Sequence, residues 1–254
     1  MGKKVTQIIF LIALVVVCGC KSFTDEPKTY VVTVGISDYL KIPDLRLPEK
    51  DAEAVKDLFS NRKAVVKHLV GLNANKAQIK NALNDVCTKA GKQDRIIFYF
   101  SGHGYPGGFC PYDMDDKKIE TGLQYDDVFA IFKQSKAEFK MIIADACYSG
   151  GIRMSSKEQN KESQTKLTNT NVITFLSSRS NEFSIESPFM PNGIFTTSLV
   201  RGLKGGADIN RDKQITAKEL FDFVSKGVKE KSKDKQHPVM WGKFNNEVVI
   251  IDWR

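Results

Sequence analysis

Cysteine and histidine are scarce in this chain of 254 residues, with five of the first and three of the second. No C-x-x-C pair and no histidine cluster occurs, so the ligand spacing that holds structural zinc is missing. Cys18 and Cys20 fall in an apolar N-terminal stretch, which leaves Cys87, Cys110 and Cys147. An odd number leaves at least one thiol free, and the fold does not depend on disulfides. Whether Cys87 and Cys110 pair stays open. No internal repeat is visible, and the apolar run Ile8 to Val17 is short for a membrane span. Charge of one sign does not dominate either. The formal charge of +8 is scattered or lies in two tracts, Lys157 to Lys166 and Lys226 to Lys235, each interspersed with acids. That pattern reads as solvated surface and gives no nucleic-acid face.

The first twenty residues read as a leader. Lys3 and Lys4 form a basic start, Ile8 to Val17 an apolar core of signal-peptide length, and Val17-Cys18-Gly19-Cys20 a cleavage region. A cysteine directly after such a site resembles a bacterial lipobox. The expectation is a lipoprotein signal peptide over residues 1–19, cleavage before Cys20, and lipid on the Cys20 sulfur and amine. A plain secretory signal and an uncleaved anchor are the alternatives. Residues 20–29, including the polar Lys21 to Lys28, form a tether. The protein is then exported to the bacterial cell envelope and held to a membrane by its lipid. Loss of Lys3 and Lys4 lowers the charge from +8 to +6.

The remainder, with 41% hydrophobic residues over the whole chain, suits one globular domain over residues 30–254. Its elements alternate. Tyr30 to Ile36 is β-branched and apolar, and Pro48 to Ser60 carries Ala54, Val55, Leu58 and Phe59 on one helical stripe. Val65 to Val70 is a second strand, and Asn75 opens a helix with Ile79, Ala82, Leu83 and Val86 on one face. A third strand ends at His103, Asp126 or Asp127 caps a helix through Phe132, and a fourth strand leads to Cys147. Val172 to Leu176, helices over Phe195 to Leu203 and Lys218 to Val228, and a closing strand Val248 to Ile251 complete the series. Strands apolar on both faces, alternating with helices, imply a mainly parallel sheet of about six strands covered on both sides. Residues 152–170 break the rhythm with many Ser, Lys, Glu, Gln and Asn, and read as a flexible linker loop.

Two strand ends carry the chemistry. Met141-Ile142-Ile143-Ala144 runs into Asp145-Ala146-Cys147, with Tyr148-Ser149-Gly150-Gly151 after it. Ile96 to Phe100 runs into Ser101-Gly102-His103-Gly104. In an open α/β sheet the C-terminal strand ends face one crevice, so His103 and Cys147 are placed to meet. A thiol of pKa roughly 8.5 is mostly un-ionised at neutral pH, and an imidazole beside it can take its proton.

SGHG after one strand and DACYSG after another resemble the caspase-like cysteine peptidases, and within them the bacterial metacaspase-like branch. The resemblance spans roughly Tyr30 to Trp253. It implies a three-layer α/β/α sandwich, a catalytic dyad of His103 and Cys147, and cleavage of peptide bonds in a protein or peptide substrate. Asp145 and Tyr148 stand where caspases have Gln and Arg. By position Asp51 and Ser101 match the substrate pocket of metacaspases. Asp145, two residues before Cys147 on the same turn, can face that pocket, with capping of its own turn as the alternative. Together they imply cleavage after Arg or Lys. The N–H groups of Gly104 and Cys147 are the expected oxyanion donors. The dyad requires no cofactor, but the resemblance brings in calcium as an activator, with Asp126 and Asp127 as its candidate ligands and helix capping as their alternative. A second acidic series, Asp208, Asn210, Asp212 and Glu219, has EF-hand spacing with Lys213 in place of the turn glycine. An Asx-rich turn capping the helix after Thr216 is the competing reading. The rival functions are a non-proteolytic caspase-like lipoprotein that binds peptides or serves as a scaffold, and an enzyme of the same kind with another residue preference.

Overall fold

Strands rich in Val, Ile and Phe build the centre of the molecule, and their alternation splits its interior in two. The computed structural model describes residues 26–147, 165, 167–168, 170–179 and 191–253, with Cys147 described by its backbone. In chain order the elements are β1 (Thr29–Gly35), α1 (Pro48–Ser60), β2 (Val65–Val70), α2 (Lys76–Lys89), β3 (Arg95–Tyr105), β4 (Gly108–Phe109), β5 (Leu123–Gln124) and α3 (Tyr125–Gln134). They continue with β6 (Phe139–Cys147), β7 (Ile173–Leu176), α4 (Ile194–Arg201), β8 (Gln214–Thr216), α5 (Ala217–Ser232), β9 (Val239–Trp241) and β10 (Val249–Asp252).

Val32 and Val34 of β1, Ile96, Phe98 and Phe100 of β3, and Ile142 and Ala144 of β6 pack on one side of the sheet with Ile79 and Leu83 of α2 and Val128 and Phe132 of α3. Val31, Ile97, Tyr99, Met141 and Ile143 pack on the other, against Val55 and Phe59 of α1, Phe195 and Leu199 of α4, and Leu220 and Val224 of α5. Successive side chains of a strand point to opposite faces, so a strand apolar at every position needs a helical layer on each side. The result is the expected three-layer α/β/α sandwich.

The sheet order is β2-β1-β3-β6-β7-β9. The first five strands are parallel and β9 runs antiparallel to β7. β4 and β5 extend β3 as a small antiparallel annex. The chain winds outward from β1 to β2, then returns to place β3 on the other side of β1. That reversal opens a crevice beyond the C-terminal ends of β1 and β3, the place where open α/β sheets bind ligands.

Two assignments from sequence are corrected. Val248 to Ile251 does not close the main sheet; β10 pairs with β8 in a separate antiparallel ribbon. The edge strand is β9, whose three residues are too few to show a periodicity. The cap of α3 is Gln124 in place of Asp126 or Asp127, and Asp127 at the third helical position accepts the Gln124 N–H at 3.3 Å, closing a capping box. The linker 152–170 lies largely outside the described residues. Leu167 within it is buried in the core on the α2 and α3 side.

Candidate active site

His103 sits near the end of β3 and is 5% exposed. Its Nε2 lies 2.9 Å from the carbonyl oxygen of Pro43. A carbonyl only accepts, so Nε2 carries the hydrogen and the lone pair of the neutral ring is on Nδ1. The phenol oxygen of Tyr39 accepts the His103 backbone N–H at 2.8 Å, and the two rings lie 5.1 Å apart. Cys147 ends β6, the next strand, and its Cα is the register partner of His103. Adjacent strands run about 4.8 Å apart, so the two backbones are as close as neighbouring strands allow.

Cys87 and Cys110 are buried and free. Burial pushes the Cys87 thiol up to about 11 against a small opposing effect of Lys140, and burial pushes Cys110 higher still. Neither has thiolate character near neutral pH.

Asp51, Ser101 and Asp145 come together from three elements. Asp51 lies in the first turn of α1, and Ser101 of β3 is the register partner of Asp145 of β6. The Ser101 hydroxyl donates to Asp51 Oδ2 at 3.1 Å. The carboxylates are 2% and 8% exposed. The start of α4 meets both. The N–H of Gly193 donates to Asp51 Oδ1 at 2.9 Å, and Thr196 donates to Asp145 Oδ2 from its N–H at 3.3 Å and its hydroxyl at 2.9 Å. A β-carbon on Gly193 would fall 2.6 Å from Asp145 Oδ2 and 3.1 Å from Asp51 Oδ2, so only glycine allows the helix to approach both. Tyr99, beneath, is paired with the Thr196 hydroxyl at 2.6 Å.

Burial is the main cause that raises the Asp51 carboxyl to about 7, and the charge of Asp145 adds to it. Hydrogen bonds from Gly193, Asn192 and Ser101 oppose the rise without cancelling it. Burial, then the charges of Asp51 and Asp145, also raises Tyr99 well above the ordinary phenol range. Two carboxylates that cannot both ionise cheaply favour either a shared proton or a bound cation. The dipole of α4, positive at this end, supports the negative charge that remains.

Sequence reasoning missed Gly193, Thr196, Tyr99, Tyr39 and Pro43. The apolar stripe from Phe195 signalled the helix, but nothing marked which groups its N-terminus would meet. Gly104, named as an oxyanion donor, is buried and pairs with Phe109 of β4. Cys20 lies outside the described residues.

Of the two calcium candidates, Asp127 is already engaged by neighbours on α2 and at the start of α3. Asp127 receives the ammonium groups of Lys80 at 2.8 Å and Lys76 at 3.4 Å, and a calcium ion there would have to displace both. Burial opposes its ionisation, but these two lysines outweigh it and hold its carboxyl below the usual range. In the EF-hand-like stretch Asp208 accepts the N–H groups of Asp212 and Lys213, and Glu219 closes a capping box with Thr216. Lys213 takes the left-handed conformation, at φ 66°, in the place of the turn glycine. Among the described residues no group of three or more His, Cys, Asp or Glu side chains converges to hold a metal.

The model of the caspase domain matches the chain over residues 28–249. A search of curated proteins finds no match. The crystal structure of protein GSU0716 from Geobacter sulfurreducens is similar, with a TM-score of 0.62 and 18% identity over 86% of this chain and 95% of that one. That likeness concerns the fold.

Proposed function

Because the chain belongs to the caspase-domain family, whose members are cysteine peptidases, we propose that it is a cysteine endopeptidase of the metacaspase-like branch with Cys147 as nucleophile and His103 as base. The observation that carries this reading is the pairing of His103 with Cys147 across β3 and β6, with the Pro43 carbonyl assigning the lone pair to Nδ1. In the proposed reaction Nδ1 takes the thiol proton and the sulfur attacks the scissile carbonyl carbon. The N–H groups of Cys147 and Gly104 are the proposed donors to the oxyanion. Collapse of the tetrahedral intermediate passes the proton from His103 to the leaving amine and leaves a thioester on Cys147. A water molecule, deprotonated by the same nitrogen, then releases the acid and restores the thiol.

We further propose that the substrate residue before the cut is Arg or Lys. The buried pair Asp51 and Asp145, with Ser101 between them, supports it, because a cation would relieve the repulsion that raises Asp51. The leader and Cys20 support a lipid anchor in the bacterial envelope. Calcium, if it activates the enzyme, is proposed to act at Asp126 and Asp127 by displacing Lys76 and Lys80.

The test is hydrolysis of a mixed peptide library by the chain from Lys21 onward, with Cys147→Ala as control. Cleavage lost in the control supports the peptidase. Peptide binding without cleavage in the unaltered chain would leave the scaffold reading in its place.

A further inference from the structure

β1 stops pairing with β3 at Gly35, opposite Ser101. Ile36 donates once more, to the Ser101 carbonyl at 3.1 Å, and the chain then leaves the sheet. His103 lies two residues past that last rung. Its buried N–H needs an acceptor that the departed strand no longer supplies. The phenol oxygen of Tyr39 takes this place at 2.8 Å. A β-carbon on Gly102 would stand 2.5 Å from the same oxygen, so the residue before His103 is one that leaves room for the phenol.

Tyr39 belongs to the loop that holds the other end of His103. Four residues on, the Pro43 carbonyl accepts Nε2–H at 2.9 Å. Pro43 and Asp44 are exposed, and no core packing fixes them. Their position comes from within the loop. The Asp44 carboxylate accepts the Tyr39 N–H at 2.9 Å, Leu45 donates to the Ser37 carbonyl at 2.8 Å, and Ile42 is buried in the core. Tyr39 therefore meets the His103 backbone through its hydroxyl and the imidazole through its ring, while its main-chain N–H, which any residue but proline carries, holds the Asp44 carboxylate beside Pro43.

We propose that Tyr39 is the positioning residue of the His103 imidazole, setting both the place of the ring and its Nε2–H tautomer. The proposal deepens the reading of His103 as the base and rests on it. An imidazole free to exchange tautomers spends part of its time with hydrogen on Nδ1, where it has no lone pair for the thiol. In this proposal Tyr39 acts on the reaction through its hold on His103.

The test replaces Tyr39 by Phe, which keeps the ring and removes only the oxygen. Long-range proton–nitrogen spectra of the imidazoles read the tautomer directly. With three histidines in the chain, the His103 signals are those lost in His103→Gln. The unaltered protein should show the Nε2–H form, and Tyr39→Phe should move both ring nitrogens toward the averaged values of exchanging tautomers. On a cleaved peptide, kcat should fall at least about tenfold with KM within about twofold, as expected when ground-state binding is intact. Asp44→Ala changes an exposed residue and should shift the spectrum the same way, which keeps the test available if Tyr39→Phe does not fold. Spectra in the variants identical to that of the unaltered protein overturn the proposal, whatever happens to thermal stability. If the unaltered chain cleaves no peptide, the peptidase reading fails and the imidazole spectra still decide the role of Tyr39.

Discussion

His103 and Cys147 are register partners on adjacent parallel strands, and Ser101 and Asp145 are paired two residues before them. Ser101-Gly102-His103 and Asp145-Ala146-Cys147 are thus one continuous ladder. The pair proposed to cut the bond and the pair proposed to hold the neighbouring substrate residue sit two rungs apart, and β1 leaves the sheet between them.

The first prediction concerns thiol reactivity. Cys87 is raised to about 11 by burial, so its thiolate fraction at pH 7 is on the order of one in ten thousand, and Cys110 is lower still. Iodoacetamide at neutral pH should label Cys147 first, and His103→Ala should slow that labelling. Peptide mapping of the alkylated protein checks it. Equal rates at the three cysteines would end the dyad assignment.

A second prediction follows from the carboxyl of Asp51 at about 7, against an ordinary 3.8. The cause is burial first and Asp145 second. The folded protein holds a proton that the unfolded chain releases near pH 4. This contribution is fully present below about pH 4 and is lost as pH rises through 7, with a total on the order of a few kcal/mol. Asp51→Asn has no such proton to lose. Between pH 5 and pH 8 the urea midpoint should fall in the unaltered protein and stay flatter in the variant. The same slope in both would show that Asp51 does not titrate in this range.

Most of the fold was legible because strand and helix periods are local properties of the sequence. β1, β3 and β6 alternate between two apolar cores, and α1 and α2 show their stripes. Pairing partners are not local. Val248 to Ile251 is the more apolar run, yet it meets Gln214–Thr216, while the weaker Val239–Trp241 takes the sheet edge. At the site, His103 and Cys147 were legible from their places at two strand ends and Asp145 from its place two residues before Cys147, whereas Asp51 came from the family resemblance alone. Pro43 contributes only a backbone carbonyl, which any residue carries. Gly193 meets Asp51 across 142 positions, and no pattern in either segment indicates that contact.

The third prediction concerns the anchor. Metabolic labelling with a fatty acid in a bacterial host should tag the full chain and leave Cys20→Ala untagged. Label retained in the variant would place the lipid elsewhere and remove the lipobox reading.

The last prediction is the preference for Arg or Lys before the cut. Asp51 and Asp145 are buried together, and the first carries a raised pKa because of that burial and of its partner. Ser101, Gly193, Asn192 and Thr196 donate hydrogen bonds to them, and none of these four carries a positive charge. A guanidinium or ammonium entering beside them would keep both carboxylates ionised and form charge-assisted hydrogen bonds worth roughly 1.5–3 kcal/mol each. An aspartate side chain would add a third carboxylate to a site that already resists two. Fluorogenic peptides ending in Arg, Lys and Asp separate these cases. Asp51→Ala and Asp145→Ala should each lower kcat/KM on the basic peptides by at least about tenfold, equivalent to roughly 1.4 kcal/mol. Thermal melts of both variants show whether the loss is one of folding. Binding to Arg should also acidify the pocket, so the Arg peptide should shift the titration of Asp51 downward, a change the Asp peptide cannot produce. Preference for the Asp peptide, or full activity on Arg in both folded variants, would mean that these carboxylates serve the packing of α4 and not the substrate.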